Sequence, residues 1–167
     1  EPAPTPDWRE LARRGDYRAA YAAADALGFE ALCAAGGSAE LAELGDIARY
    51  AGHPARAERA YLEQRKRYPG SSASAIAAFA LGRIAFDQRG SYPQAAQWFQ
   101  TALPESRGGS LAREAHGRWF EALERSGAKV VAVERAREVV VEFADDFRVH
   151  PDDALFVCGS ISSLGRY

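Results

Sequence analysis

The sequence predicts an all-helical fold of about four antiparallel helix hairpins, and three observations carry that prediction. Alanine dominates the apolar residues of this 167-residue chain, and it is both the best helix former and small enough to let helices approach closely. The β-branched residues are sparse before Val130. Four glycines, Gly15, Gly52, Gly90 and Gly127, recur at spacings of 37, 38 and 37 residues, each after one helical run and before another. A helix that must turn straight back needs such a residue, because glycine enters the left-handed region without steric cost.

Around each glycine a pattern repeats. An alanine follows five residues later, at Ala20, Ala57, Ala95 and Ala132. The next core position falls four residues further on, at Tyr61 and Phe99 in the two middle units. That spacing puts both residues on one helix face, where the small one lets the paired helix press close. Ahead of two of the turns stand Leu44-Gly45 and Leu81-Gly82. A mid-helix glycine costs about 1 kcal/mol of helix propensity, so it normally answers a packing demand. Here the demand is expected to be close contact with the neighbouring hairpin.

In order along the chain, residues 1–6 read as a linker, with proline at every second position resisting both helix and sheet. The start therefore resembles a cut within a Pro/Ala linker, and the chain is expected to be an excised domain. The first hairpin spans about 7–35, with helices over 7–14 and 16–27, Asp7 as N-cap and an extra turn over 29–35. The second spans 38–69, with helices over 38–51 and 54–67, Ser38 as N-cap and Pro54 in the first turn. The third spans 72–104, with helices over 72–89 and 92–103. The fourth spans 109–147, with helices over 109–126 and 128–147, although Val139-Val140-Val141 is a strongly β-prone run. Residues 148–167 form a cap or tail. Pro151-Asp152-Asp153 opens like a helix, and a capping helix over 152–164 would cover the last apolar face of a repeat array; a disordered or strand-like tail is the alternative.

These residues carry a resemblance to the tetratricopeptide repeat. Leu44, Gly45, Ala48, Gly52, Ala57, Tyr61 and Pro69 match its spacing without a gap. Leu81, Gly82, Gly90, Tyr92, Ala95, Phe99, Ala102 and Leu103 match with one inserted residue before Gly90. The resemblance covers roughly residues 7–145 and implies a right-handed superhelix of hairpins that binds a peptide or partner helix in its concave groove. The run from Ala80 to Gly90 and the ending Arg67-Tyr68-Pro69-Gly70 resemble helical-repeat domains of the bacterial envelope. Those occur in outer-membrane assembly lipoproteins and behind FecR-type sigma-regulator modules. This similarity implies a periplasmic or envelope-associated setting, with the cytoplasm as the alternative.

Carried over position by position, the resemblance places Asp46, Arg49 and Tyr50 of the second unit in the groove. The third unit contributes Phe79, Arg83, Phe86 and Asp87, and the fourth Glu121, Glu124 and Arg125. Aromatics and arginine are what protein interfaces concentrate, while the plainer reading makes the charges an ordinary solvated face with intrahelical pairs. The carboxylate clamp of chaperone-binding relatives is disfavoured, because it needs lysines and asparagines where this chain has Ala42, Asp46 and Tyr50.

The net charge of −2 and pI near 6.0 supply no basic field, which argues against a nucleic-acid-reading repeat. No stretch approaches the roughly 20 apolar residues of a membrane span. The sequence holds no metal-ligand spacing, phosphate loop or nucleophile motif, so no catalytic residue, metal or cofactor is assigned and the chain reads as a non-enzyme. His150 and Asp153 have the only spacing that approaches a ligand pair. Cys33 and Cys158 read as two small buried residues. Trp98 and Trp119 read as core more than as recognition aromatics. Self-association through Val139–Val141 and Leu155–Val157, giving a homodimer, is the alternative to partner binding.

Overall fold

The computed structural model describes residues 7–144, 146–150 and 152–159, leaving out the side chain of Val130. The linker assigned to residues 1–6 and positions 160–164 of the cap lie outside the described residues. Two compact units divide between Ala77 and Ala78, and each is described by itself.

In the first unit, α1 (Trp8–Arg13) and α2 (Tyr17–Ala26) form the first hairpin, followed by the short α3 (Phe29–Ala35). The Asp7 carboxylate caps α1 by accepting from the Arg9 N–H at 3.1 Å, and Asp16 caps α2 from Ala19 N–H at 3.1 Å. The second hairpin pairs α4 (Ser38–Tyr50) with α5 (Pro54–Arg67). Gly37, and not Ser38, is the N-cap of α4. Ser38 instead receives the buried Gln64 amide from α5, on its carbonyl at 2.8 Å and its hydroxyl at 3.3 Å. Glu30 of α3 takes Arg56 and Arg59 of α5, and Arg67 reaches the carbonyls of Cys33 and Ala34, so α3 is fastened to the second hairpin. Trp8, Phe29, Leu41, Leu44, Ile47 and Tyr61 make the buried core.

Gly45 shows what the mid-helix glycine does. A Cβ built there would lie 2.4 Å from Cε1 of Tyr61. The ring crosses the α4 backbone in a notch that only glycine leaves open. Gly82 repeats the device, with a Cβ placed 2.6 Å from the Phe99 ring. The close contact is therefore with the second helix of the same hairpin, which corrects the expectation that it faces the neighbouring one.

The divide falls within α6 (Ser72–Arg83), which passes directly into a π-helical turn over Ile84–Gln88. The Arg89 N–H donates to the Ile84 carbonyl, five residues back, at 3.2 Å. This turn absorbs the residue that the sequence inserts before Gly90: a π turn holds one more residue than an α turn and leaves the helix running on. α7 (Tyr92–Glu105) and α8 (Gly109–Arg125) follow. Phe79, Phe99, Leu123 and a series of alanines form the second core, with Trp98, Trp119 and Val157 packed against it.

The fourth hairpin is not completed. In place of a helix over 128–147 the chain forms β1 (Lys129–Arg135) and β2 (Glu138–Val140), and in place of a capping helix it forms β3 (Ala154–Cys158). β1 is central and pairs antiparallel with both neighbours, Val133 facing Val140 on one side and Leu155 on the other. The cause lies in the local residues. Val130, Val131, Val133 and Val139–Val141 favour a pleated, half-buried surface over a helix, and the sheet turns Val133 fully inward. Between β1 and β2, Ala136 and Arg137 both have positive φ, 51° and 70°, as a tight primed hairpin turn demands. Neither residue suits that region. Arg137→Gly is therefore expected to stabilise the protein by about 1 kcal/mol, read as a higher urea midpoint in tryptophan fluorescence.

Candidate interaction surfaces

α4 packs on the first hairpin, chiefly on α2, and its C-terminal part carries Asp46, Arg49 and Tyr50. Tyr50 is 55% exposed. Its ring stacks on Tyr17 at 4.7 Å between centroids, and the Arg49 guanidinium lies 4.1 Å from its centre. Beside this stack opens a pocket of about 290 Å³, lined by Arg13, Tyr17, Glu43, Asp46, Ile47 and Tyr50. Asp46 accepts the Tyr61 hydroxyl at 2.8 Å and lies 3.5 Å from Arg49. Burial pushes the Tyr61 phenol far above its ordinary range, with the Asp46 charge adding to it. Burial also works against the Arg49 charge, but Tyr61 and Tyr50 outweigh it and hold that group above its ordinary value. The three groove positions of this unit are thus brought together, and Tyr17 and Arg13 join them. The sequence pattern missed those two because the first repeat lacks the Leu-Gly signature.

In the second unit the candidates scatter more. Phe79 is buried, its ring 5.4 Å from Phe99, so it is core and not groove. Arg83 and Asp87 form an i,i+4 pair at 3.3 Å. Phe86, on the π turn, packs edge-on against Tyr92 at 5.0 Å. The Arg118 guanidinium lies 5.6 Å from the Phe86 ring and Arg125 5.9 Å from Tyr92, while Glu121 pairs with Arg118 at 3.2 Å. Phe86, Glu121 and Arg125 therefore belong to one aromatic and arginine cluster. Glu124 turns elsewhere, onto a cavity at the end of α8.

Among the described residues no group of three His, Cys, Asp or Glu side chains could hold a metal. Asp153 is engaged otherwise: its side chain is almost wholly buried and takes Arg135 bidentately at 2.8 and 2.7 Å, with the His150 N–H at 2.8 Å. The Arg135 hydrogen bonds hold its carboxyl below the ordinary 3.8, against the effect of burial. A depressed carboxyl stabilises the fold above its unfolded pKa and loses that contribution as pH falls through the folded value. The sheet is therefore expected to lose amide protection below about pH 3.8 while α4 and α5 keep theirs, and Asp153→Asn should remove that acid step. Equal protection at pH 3 and pH 6 would contradict this. Cys33 is buried and its thiol is pushed up to about 11, mainly by burial, which suits a packing residue and not a nucleophile. Cys158 is exposed at the end of β3, contrary to its expected burial, because β3 is an edge strand that turns this side chain outward.

Among the described residues no helix is long and apolar enough to cross a membrane. Residues 42–110 match the Tetratricopeptide repeat family. No curated protein and no solved structure matches the chain.

Proposed function

We propose that this chain, whose middle region is tetratricopeptide-like, is a protein-interaction scaffold that takes a peptide or a partner helix on the face bearing Tyr50. The observation that supports this most is the stack of half-buried Tyr17 on exposed Tyr50, beside a pocket whose lining offers both charge signs, Arg13 with Glu43 and Asp46. Rigid aromatics lose little conformational entropy on binding, and flanking charges orient a partner and suppress wrong ones. The Phe86 cluster of the second unit offers the same chemistry. In the first unit the residues of this reading are Asp46, Arg49 and Tyr50; in the second, taken by itself, they are Arg83, Phe86, Asp87, Glu121 and Arg125. The test selects displayed peptides on the intact protein and measures the affinity of the enriched ones for Tyr50→Ala and Phe86→Ala. Both side chains are partly exposed, so the variants should stay folded. A loss of about tenfold or more supports the reading, and undiminished binding to both variants ends it. An envelope setting is part of the proposal through the resemblance of the run from Ala80 to Gly90 and of Arg67-Tyr68-Pro69-Gly70, and fractionation of the native source tests it.

A second reading is association with another copy of the chain through the sheet, supported by the exposure of Val131, Val139, Val141 and Phe156. Sedimentation of the wild type and Phe156→Ser separates the two: a dimer abolished by the substitution favours it, and a monomer over the full concentration range removes it.

A further inference from the structure

At the C-terminal end of α8 lies a cavity of about 560 Å³, lined by Phe120, Phe143, Phe147 and Val133 with Glu124 and Lys129 among the remaining lining residues. It lies entirely within the second unit and shares no residue with the Tyr50 pocket. Its size falls within the roughly 300–1,000 Å³ of small-molecule sites, and such sites pair an apolar lining with a few polar groups.

Two features make it more than a crevice. Two of the three aromatic rings, Phe147 and Phe143, are fastened by their neighbours. Arg135 donates to the Arg148 carbonyl at 2.7 Å, lies 5.2 Å from the centre of the Phe147 ring, and is itself fixed by Asp153. Phe147 in turn packs on Phe143 at 5.0 Å. Rings restrained before binding lessen the entropic cost to the ligand. The second feature is electrostatic. Glu124 and Lys129, opposite charges lining one cavity, do not bridge to each other, and neither has a side-chain partner among the described residues. An anionic ligand would meet Glu124 unfavourably and a cationic one Lys129. A ligand that carries both charges about an apolar body satisfies the two together.

We propose that this cavity binds a zwitterionic apolar molecule, a hydrophobic amino acid or short peptide with free termini. The carboxylate rests on Lys129, the ammonium on Glu124 and the side chains among Phe120, Phe143 and Phe147. Calorimetric titration of the full chain with the dipeptide Leu-Phe, with L-phenylalanine, and with N-acetyl-Leu-Phe-amide tests it. Saturable binding of one of the first two is expected, and the tighter of them gives the ligand's size. The capped dipeptide, Lys129→Ala and Phe143→Ala should each weaken binding about tenfold, near 1.4 kcal/mol. Lys129 is an exposed charge, so its variant stays informative even where Phe143→Ala fails to fold. Tyr50→Ala should leave the affinity unchanged, which keeps this result separate from that of the peptide groove. No saturable binding of either free ligand at millimolar concentration, or equal binding of the capped form, overturns the proposal.

Discussion

Replacing Phe99 by alanine is expected to cost about 3–5 kcal/mol. The ring is fully buried. It fills the notch that Gly82 leaves in the preceding helix and meets Phe79 at 5.4 Å, so its removal opens a cavity on two sides at once. The surrounding side chains are mostly alanines, too short to collapse into the space, which places the cost toward the top of that range. Urea unfolding followed by the fluorescence of Trp98 and Trp119 measures it, and a loss below about 1 kcal/mol, typical of a surface change, would show that the notch contact does not hold this hairpin together.

The second large effect comes from the opposite change. Gly45→Leu is expected to cost about 3 kcal/mol by overpacking, because Tyr61 cannot move aside: its ring is buried and its hydroxyl is held by Asp46 at 2.8 Å. Gly45→Ala separates packing from propensity. Alanine is better than glycine in a helix by about 1 kcal/mol, yet its Cβ would sit 2.4 Å from the Tyr61 ring, so the single substitution should destabilise. In a Tyr61→Ala background the clash is gone, and the same substitution should become stabilising by about 0.5–1 kcal/mol. That change of sign in a double-mutant cycle is the test; a Gly45→Ala effect of the same sign in both backgrounds would contradict it.

These two pairs explain why the middle of the chain was legible in the sequence. Leu44-Gly45 with Tyr61, and Leu81-Gly82 with Phe99, are local, periodic and chemically specific, and α4 to α7 follow from them almost residue by residue. Even the inserted residue before Gly90 has a physical outcome, the π turn over Ile84–Gln88. At the end of the chain the helix expected over 128–147 gives way to strands, and the strand-like alternative for the tail holds over Ala154–Cys158, for an equally physical reason. Gly127 and Ala132 keep the repeat spacing, but the valines around them prefer a sheet, and β propensity overrode the register that the glycine had set. Phe79 shows a different limit. The repeat register places it on the groove face, yet its ring turns toward Phe99, because an aromatic at the edge of a helix face is drawn to the larger apolar neighbour. The Tyr17–Tyr50 stack and the Phe86–Arg118 contact join residues too far apart in sequence for periodicity to reveal. The Arg135–Asp153 lock joins the end of β1 to the residue before β3, and it follows from the pairing of those strands, which no local periodicity announces.

The measurement that bears most directly on the proposed scaffold is the affinity of selected peptides for wild type, Tyr50→Ala and Phe86→Ala, with thermal unfolding recorded on the same samples. Peptides are expected to enrich whose binding falls about tenfold or more in at least one variant while the unfolding midpoint stays put. Failure of any peptide to enrich, or peptides bound equally well by both variants, would contradict it.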